Sequence, residues 1–235
     1  APNLPQVAVF DTAFHQSMPE VAYKYALDSL LYEKHHIRRY GFHGTSHAYV
    51  AKEAAKLLNK DVNALNLITL HLGNGASICA IKNAKSTDTH TGFTPLEGII
   101  MATRSGDIDP AIIFYMHKEL QMSVDAIENE LNKNSGLQGI CQANDVRKII
   151  QSNDTKSQLA IDMMVRRIQK YIGAYTVLLE DVDSIVFTGG IGENSSYVRE
   201  KIADNKIIKP MKQLVIQTDE ELEIASQAME LAKKV

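Results

Sequence analysis

The 235-residue sequence predicts an α/β fold in which a mixed sheet is flanked by helices. Two observations carry that expectation. Helical and strand-like segments alternate along the chain, and one early pair of strands is joined by a turn too short for a parallel crossover. Such a pair is antiparallel, so the sheet is not wholly parallel.

The first element is residues 6–11 (QVAVFD), a short apolar run ending in a carboxylate. It reads as a buried strand that delivers Asp11 to its C-terminal edge. Ser17-Met18-Pro19-Glu20 carries the Ser-x-x-Glu capping pattern with an early proline, and predicts a helix to about Lys34. The stretch GFHGTSH at 41–47 is a glycine-bracketed turn, with Thr45 or Ser46 capping a helix to Leu58. Residues 65–72 and 76–82 are apolar, β-branched runs separated by Gly73-Asn74-Gly75, a strong hairpin signal. A loop rich in glycine and threonine follows. Asp109-Pro110 then opens a helix to about Leu120, and Ser123 starts another that Gly136 ends. Ile161, Val165, Ile168, Ile172, Tyr175 and Leu179 recur at the spacing of a long buried helix. Residues 184–188 (SIVFT) and 214–216 are the remaining strands. Thr218 and Asp219 cap a last helix whose expected apolar face is Leu222, Ala225, Met229 and Ala232.

Hydrophobic residues make up 45% and charged residues 23%, the balance of a folded domain rather than a disordered one. The length fits one large domain or one and a half ordinary ones. A net charge of -3 offers no nucleic acid or anionic membrane as a partner, so an anionic ligand needs local positive groups. Cys79 and Cys141 make neither a disulfide framework nor a metal-type pair. No signal peptide or membrane-length apolar run is present, and a cytoplasmic location is the simplest expectation. The chain opens at Ala1-Pro2-Asn3 without Met, from which a missing upstream portion is expected.

Chemistry is concentrated in a few segments. In His71-Leu72-Gly73-Asn74-Gly75-Ala76-Ser77 two glycines and small polar residues let the backbone N–H groups of the turn approach an anion, although a plain hairpin turn would look the same. What distinguishes it is a histidine ending an otherwise apolar strand. Gly189-Gly190-Ile191-Gly192-Glu193-Asn194 follows a strand and precedes a helix, as a phosphate- or purine-contacting loop does. It is neither a dinucleotide fingerprint nor a P-loop, and a strand-to-helix turn needing positive φ is the structural alternative. Arg104 lies in a loop with Thr103, Ser105 and Gly106 and suits bidentate binding of phosphate oxygens, or else is a solvated loop arginine. His43 and His47 lack the intervening Glu of a zinc motif; the sharper alternative is a hydrogen-bonding histidine beside a transferring phosphoryl group, and one of the pair can be simply structural. Asp11 at a strand end and Glu220 at a helix start are carboxylates where α/β folds put their sites, and a magnesium nucleotide needs such groups. Glu220 is equally readable as a favourable charge on the helix dipole, with Glu221 beside it as the alternative.

Taken in order, the strings VFDTAFHQSMP, RRYGFHGTSH, HLGNGASICAIKN, TPLEGIIMATRSGDIDP, FTGGIGENS and TDEELEIA closely resemble the acetate kinase family. They span residues 9–225, nearly the whole chain. The resemblance implies a ribonuclease-H-like lobe of the superfamily that also holds sugar kinases, heat-shock chaperone ATPases and actin, with ATP in the cleft between two lobes. Residues 1–217 would be the C-terminal nucleotide-binding lobe, with a possible absent loop near 204–210. Residues 218–235 would be a C-terminal helix packing back toward an N-terminal lobe that the chain lacks. The implied reaction is reversible transfer of the ATP γ-phosphoryl group to acetate, giving acetyl phosphate and ADP with Mg²⁺ (or Mn²⁺), by a cytoplasmic homodimer. Asp11, His43 and Arg104 match the family's catalytic positions, and His71, Leu72, Gly73, Asn74 and Gly75 its phosphate loop. Asp145, Val146 and Arg147, with Gly190, Ile191, Gly192, Glu193 and Asn194, match segments around the adenosine, and Glu220 matches the metal-site glutamate. A carboxylate acceptor is already ionised, so Asp11 reads as a positioning group rather than a general base. Without its partner lobe the chain is expected to bind nucleotide weakly and to turn over little. A propionate or other short-chain acyl kinase, and a non-catalytic nucleotide-binding lobe, are the competing expectations.

Overall fold

The computed structural model describes residues 6–152 and 154–233. The expected start at residues 1–3 and the end of the last helix at 234–235 lie outside the described residues. In chain order the helices are α1 (Glu20–Tyr23), α2 (Ser29–His35), α3 (Gly44–Leu58), α4 (Ala111–Lys118), α5 (Val124–Asn129), α6 (Gly136–Cys141), α7 (Val146–Ser152), α8 (Thr155–Leu179), α9 (Gly189–Asn194), α10 (Ser196–Ala203) and α11 (Glu220–Ala232). The strands are β1 (Asn66–Leu72), β2 (Ala76–Lys82), β3 (Lys85–Thr89), β4 (Ser184–Thr188) and β5 (Gln213–Val215).

They form one five-stranded sheet in the order β3-β2-β1-β4-β5. The first three strands are a meander: β1 and β2 pair antiparallel in a register that sets Leu72 opposite Ala76, and β2 pairs antiparallel with β3. The chain then crosses over through α4 to α8 and adds β4 parallel to β1 and β5 parallel to β4. This is the ribonuclease-H-like arrangement, mixed as the short hairpin required.

The pleat of β1 sorts its side chains between two cores. Ile68, Leu70 and Leu72 join Ile78, Phe187 and the buried face of α8, which contributes Ile161, Val165, Ile168, Ile172, Tyr175 and Leu179. Leu67 faces the other way, with Cys79, Ile81 and Val186, under α3. That helix meets the sheet with Val50, Ala51, Ala54 and Ala55 at helical spacing. Three alanines in that face let its axis lie close to the strands.

Several expectations are corrected. Residues 6–11 are not a strand: their exposure alternates, Phe10 stands 68% exposed, and none of the five strands takes them as a partner. An apolar run without a neighbour to fill its hydrogen bonds stays irregular. The helix expected from 17 to 34 is broken into α1 and α2, because Asp28 caps a second start at Leu30 N–H. Neither Thr45 nor Ser46 caps α3; His43 holds the cap position and both hydroxyls turn inward. Gly136, at φ 62°, opens α6 rather than ending a helix. The strand β3 was hidden in a polar sequence, KSTDT, and is reached through a tight turn with Asn83 and Ala84 both at positive φ. Finally, α11 lies the other way round from its predicted amphipathicity. Glu223 is its buried residue, paired with Lys52 of α3, while Leu222 and Met229 stand more than half exposed. Three glutamates in its first turn and a lysine opposite decide that orientation over the apolar stripe.

Ala54 is completely buried between α3 and the sheet. Ala54→Leu is expected to destabilise the chain by about 1–3 kcal/mol through overpacking, seen as a lower urea midpoint. An undiminished midpoint would show that α3 does not approach the sheet as closely as described.

Burial also sets a pH dependence. It lowers the histidine pKa to about 4 at His15 and to about 3 at His90, and lowers His47 well below the ordinary 6.5. These rings stay neutral when folded but accept protons once unfolded. Their contribution is therefore complete above pH 6.5 and is lost as pH falls from there toward 4. The urea midpoint is expected to drop already between pH 6.5 and about 5, above the range where ordinary carboxylates titrate. A flat midpoint across that interval would refute the neutral assignment.

Candidate active site

Three parallel strands, β1, β4 and β5, end on the same edge of the sheet, and ligands in open α/β sheets bind at such carboxyl ends. The sequence places a turn or helix start after each. The hairpin turn Gly73-Asn74-Gly75 follows β1, α9 follows β4, and Thr218 with the start of α11 follows β5. The N-terminus of α3 is brought to the same edge by the polar end of the β1 face, Thr69 and His71, over which it lies.

The position of α3 is fixed through Asp11. Its carbonyl accepts a hydrogen bond from Gly44 N–H at 2.8 Å, and its Oδ2 accepts one from His43 N–H at 2.6 Å. A side chain on Gly44 would collide with that same Asp11 carbonyl, so glycine is required there for the two segments to meet. His43 is held at φ 56°, a left-handed conformation that costs a non-glycine residue about 1 kcal/mol or more. The Asp11 contact offsets that cost and aims the imidazole at the hairpin turn.

Behind that turn lies a strip of buried polar side chains. His43 and His71 stack with ring centroids 4.3 Å apart, and burial holds each near pKa 4, helped in His43 by its neighbour His71. Ser46 shares hydrogen bonds with His71 Nδ1 and Thr218 Oγ1, both at 2.8 Å. The Thr45 hydroxyl lies 3.1 Å from Asp11 Oδ1 and 3.3 Å from Glu220 Oε2, so the two carboxylates converge on one donor.

In front of the turn opens a cleft of about 870 Å³ lined by Gly73, Asn74, Gly75, Thr103, Arg104 and Asp145, with Arg147, Gly190 and Ile191 among the rest of its wall. Arg104 is presented by a loop fastened on both sides. Met101 N–H donates to the Arg104 carbonyl, Ser105 N–H to Leu131, and Thr103 Oγ1 to the carbonyl of Asn132. The guanidinium donates to Met101 Sδ at 3.6 Å and, among the described residues, pairs with no carboxylate. Gly75 sits between the two candidate donors. A methyl group on it would stand 3.4 Å from His43 Nε2 and 3.7 Å from Arg104 Nη1. The arrangement is a backbone turn with a guanidinium and an imidazole focused on one point of a cleft.

Most of the sequence-predicted residues meet here. Gly73, Asn74, Gly75, Arg104, Asp145, Val146, Arg147, Gly190, Ile191 and Asn194 line the cleft; His43, Asp11 and Glu220 lie outside its lining and are joined to one another through the His43 N–H and the Thr45 hydroxyl. Asp145 caps α7 and takes a fork of hydrogen bonds from Arg147, which lowers its pKa to about 2. Leu72, Gly192 and Glu193 stand behind the wall. Leu72 is core, Gly192 packs against β1 and β4, and the Glu193 carboxylate turns back to accept from Gly189 N–H and Thr218 N–H. The glycine segment is thus helix α9 itself rather than a loop ahead of one. Only Gly189, at φ 75° with its α-carbon against the Leu72 backbone, is held to glycine by conformation. Ala102 and Asn144 also line the cleft and were not singled out, nor was Thr69 in the strip behind. A signal for Thr69 existed: the alternation Leu67, Thr69, His71 puts hydroxyl and imidazole on one face of an apolar strand.

The comparisons accord with this geometry. The Acetokinase family model matches residues 1–232. The acetate kinase of Sulfurimonas denitrificans is 54% identical over 254 aligned residues, covering 99% of this chain and 65% of its own. That alignment is longer than the 235-residue chain, so the relative carries extra residues inside the matched stretch. Two crystal structures are similar across nearly the whole chain. They are an acetate kinase of Porphyromonas gingivalis (41% identity, TM-score 0.89, covering 95% of this chain and 63% of that one) and a propionate kinase of Francisella tularensis (44%, 0.90, 96% and 64%). The chain therefore spans a little under two thirds of the length of the relatives it matches, and it belongs to the acetokinase family.

Proposed function

We propose that the cleft binds ATP or ADP and that the protein transfers the γ-phosphoryl group to acetate. The observation that carries this reading is the convergence of His43 Nε2 and Arg104 Nη1 on either side of Gly75. Phosphoryl transfer passes through a loose state with charge spread over the equatorial oxygens, so fixed donors and positioning supply most of the catalysis. The acetate oxygen forms a bond to γ-phosphorus while the bond to the bridging oxygen breaks and its electron pair stays on ADP. No proton moves. That suits an active site whose histidines are held neutral and whose Asp11 carboxylate is committed to the α3 backbone.

The nucleotide's other contacts follow from the cleft wall. The N–H groups of Asn74 and Gly75 would face phosphate, the Gly73 N–H being donated to the Gly75 carbonyl, and the stretch from Asn144 to Arg147, with Gly190, Ile191 and Asn194, would border the adenosine. Mg²⁺, with Mn²⁺ as an alternative, is the divalent ion this reading implies. Asp11 and Glu220 fit it, because two carboxylates share one Thr45 hydroxyl and neither has a lysine or arginine partner among the described residues. No group of three or more His, Cys, Asp or Glu side chains that could hold a metal occurs among those residues. Mg²⁺ needs only one or two carboxylates, the rest of its shell being phosphate oxygens and water, and when bound it neutralises phosphate charge. The contact with Thr45 supports Glu220 over Glu221. No helix among the described residues is long and apolar enough to cross a membrane. A cytoplasmic homodimer remains part of the same reading. The propionate kinase likeness, at 44% identity, keeps propionate and other short acids as alternative acceptors.

The test is an assay of the intact gene product with ATP, Mg²⁺ and acetate, propionate or butyrate. Acyl phosphate formation fastest with acetate is expected; faster turnover of propionate would move the acceptor, and no turnover with any acid would end the reading. Arg104→Ala in the same protein should lower kcat by about 100-fold or more while nucleotide affinity changes far less. A variant that loses nucleotide binding but keeps its rate of transfer would show Arg104 to be a ground-state contact only.

A further inference from the structure

Behind the cleft, four side chains form an unbroken hydrogen-bonded chain. Thr69 Oγ1 lies 2.7 Å from His47 Nδ1, His47 Nε2 lies 2.6 Å from Ser77 Oγ, and Ser77 Oγ lies 2.9 Å from His43 Nδ1. Thr69, His47 and Ser77 are completely buried, whereas the far nitrogen of His43 faces Gly75 at the cleft. With neutral rings each of the four groups carries one proton, and three contacts consume three of them. The fourth proton is left over, on Thr69, on Ser77 or on His43 Nε2.

Three proton orders keep all three contacts. In one of them Ser77 accepts from both His47 Nε2–H and His43 Nδ1–H, which strands its own buried hydroxyl proton, because Ser77 has no other partner among the described residues. In the inward order His43 Nδ1–H donates to Ser77, Ser77 to His47 Nε2, and His47 Nδ1–H to Thr69. The Thr69 hydroxyl proton is then stranded, because the hydroxyl has no other partner among the described residues. In the outward order Thr69 donates to His47 Nδ1, His47 Nε2–H to Ser77, and Ser77 to His43 Nδ1. The spare proton then sits on His43 Nε2, where it faces the cleft. The outward order leaves only a threonine lone pair without a donor, and an orphaned buried donor is the rarer and costlier defect.

We infer that Thr69, His47 and Ser77 are positioning residues that fix His43 as its Nε2–H tautomer, a hydrogen-bond donor aimed at the cleft. This rests on the phosphoryl-transfer reading for its purpose: a donor there meets the terminal phosphate oxygens, where an acceptor would repel them. The arrangement explains why two neighbouring strands of the core, β1 and β2, each spend a fully buried position, Thr69 and Ser77, on a hydroxyl.

The tautomers are read directly by long-range ¹H–¹⁵N correlation spectra of the ligand-free full chain labelled at histidine. His43 and His47 are both expected as Nε2–H tautomers. Thr69→Val should move both rings together toward mixed tautomers, and Thr69→Ser should restore them. His43 protonated at Nδ1 in the parent, or Thr69→Val leaving both rings unchanged, overturns the inference. Should Thr69→Val fail to fold, Ser77→Ala breaks the chain at its middle, and a His43 tautomer unmoved by it is equally fatal. In the intact protein, Thr69→Val should cost about 10-fold or more in kcat with the KM for ATP held, and Thr69→Ser should recover it. Altered tautomers with undiminished kcat would leave the relay standing and remove His43 from the transfer step, so the two readings fail separately.

Discussion

The seating of one helix terminus on the end of the sheet governs everything at the cleft. The first turn of α3 lies over the polar end of β1 and β2, where His47, Ser46 and Thr45 meet Thr69, Ser77, His71 and the Asp11 carboxylate. Water is excluded from most of this strip, so every donor in it needs a protein acceptor. Sliding α3 by one residue would strand several of them at once. The apolar half of the same helix, with Val50, Ala51 and Ala54 against Leu67 and Cys79, supplies the adhesion, and the polar half supplies the register.

That division explains what could and could not be read from the sequence. The sheet's mixed character followed from the Gly73-Asn74-Gly75 turn, and the long core helix from the spacing of Ile161 to Leu179. The cleft residues were legible because turn chemistry and strand ends are local signals. β3 was not, because an edge strand of Lys, Ser, Thr and Asp takes its hydrogen bonds from β2 rather than from any pattern of its own. The orientation of α11 was misread because apolar periodicity was weighed and the Lys52–Glu223 pair, which spans distant parts of the chain, was invisible. Thr69 was passed over for the opposite reason. It is one polar residue in a strong strand signal, and only the helix lying over it gives it meaning.

Electrostatics at the edge is arranged in two zones. Around Gly75 stand an uncompensated guanidinium, imidazoles held neutral by burial and the backbone of the turn, a surrounding made for negative charge despite the acidic chain. At the far end Asp11 and Glu220 gather negative charge about Thr45. The separation is short and is maintained by His43, which bonds to Asp11 through its backbone and to Ser77 through its ring.

The Glu193 carboxylate has a wider consequence. One oxygen accepts from the first residue of α9 and from Thr218 at the threshold of α11. The helix that lends Gly190 and Ile191 to the cleft wall and the segment that leads into Glu220 are thereby joined at a single atom. Loss of that carboxylate would leave two backbone N–H groups, one on each segment, without this acceptor.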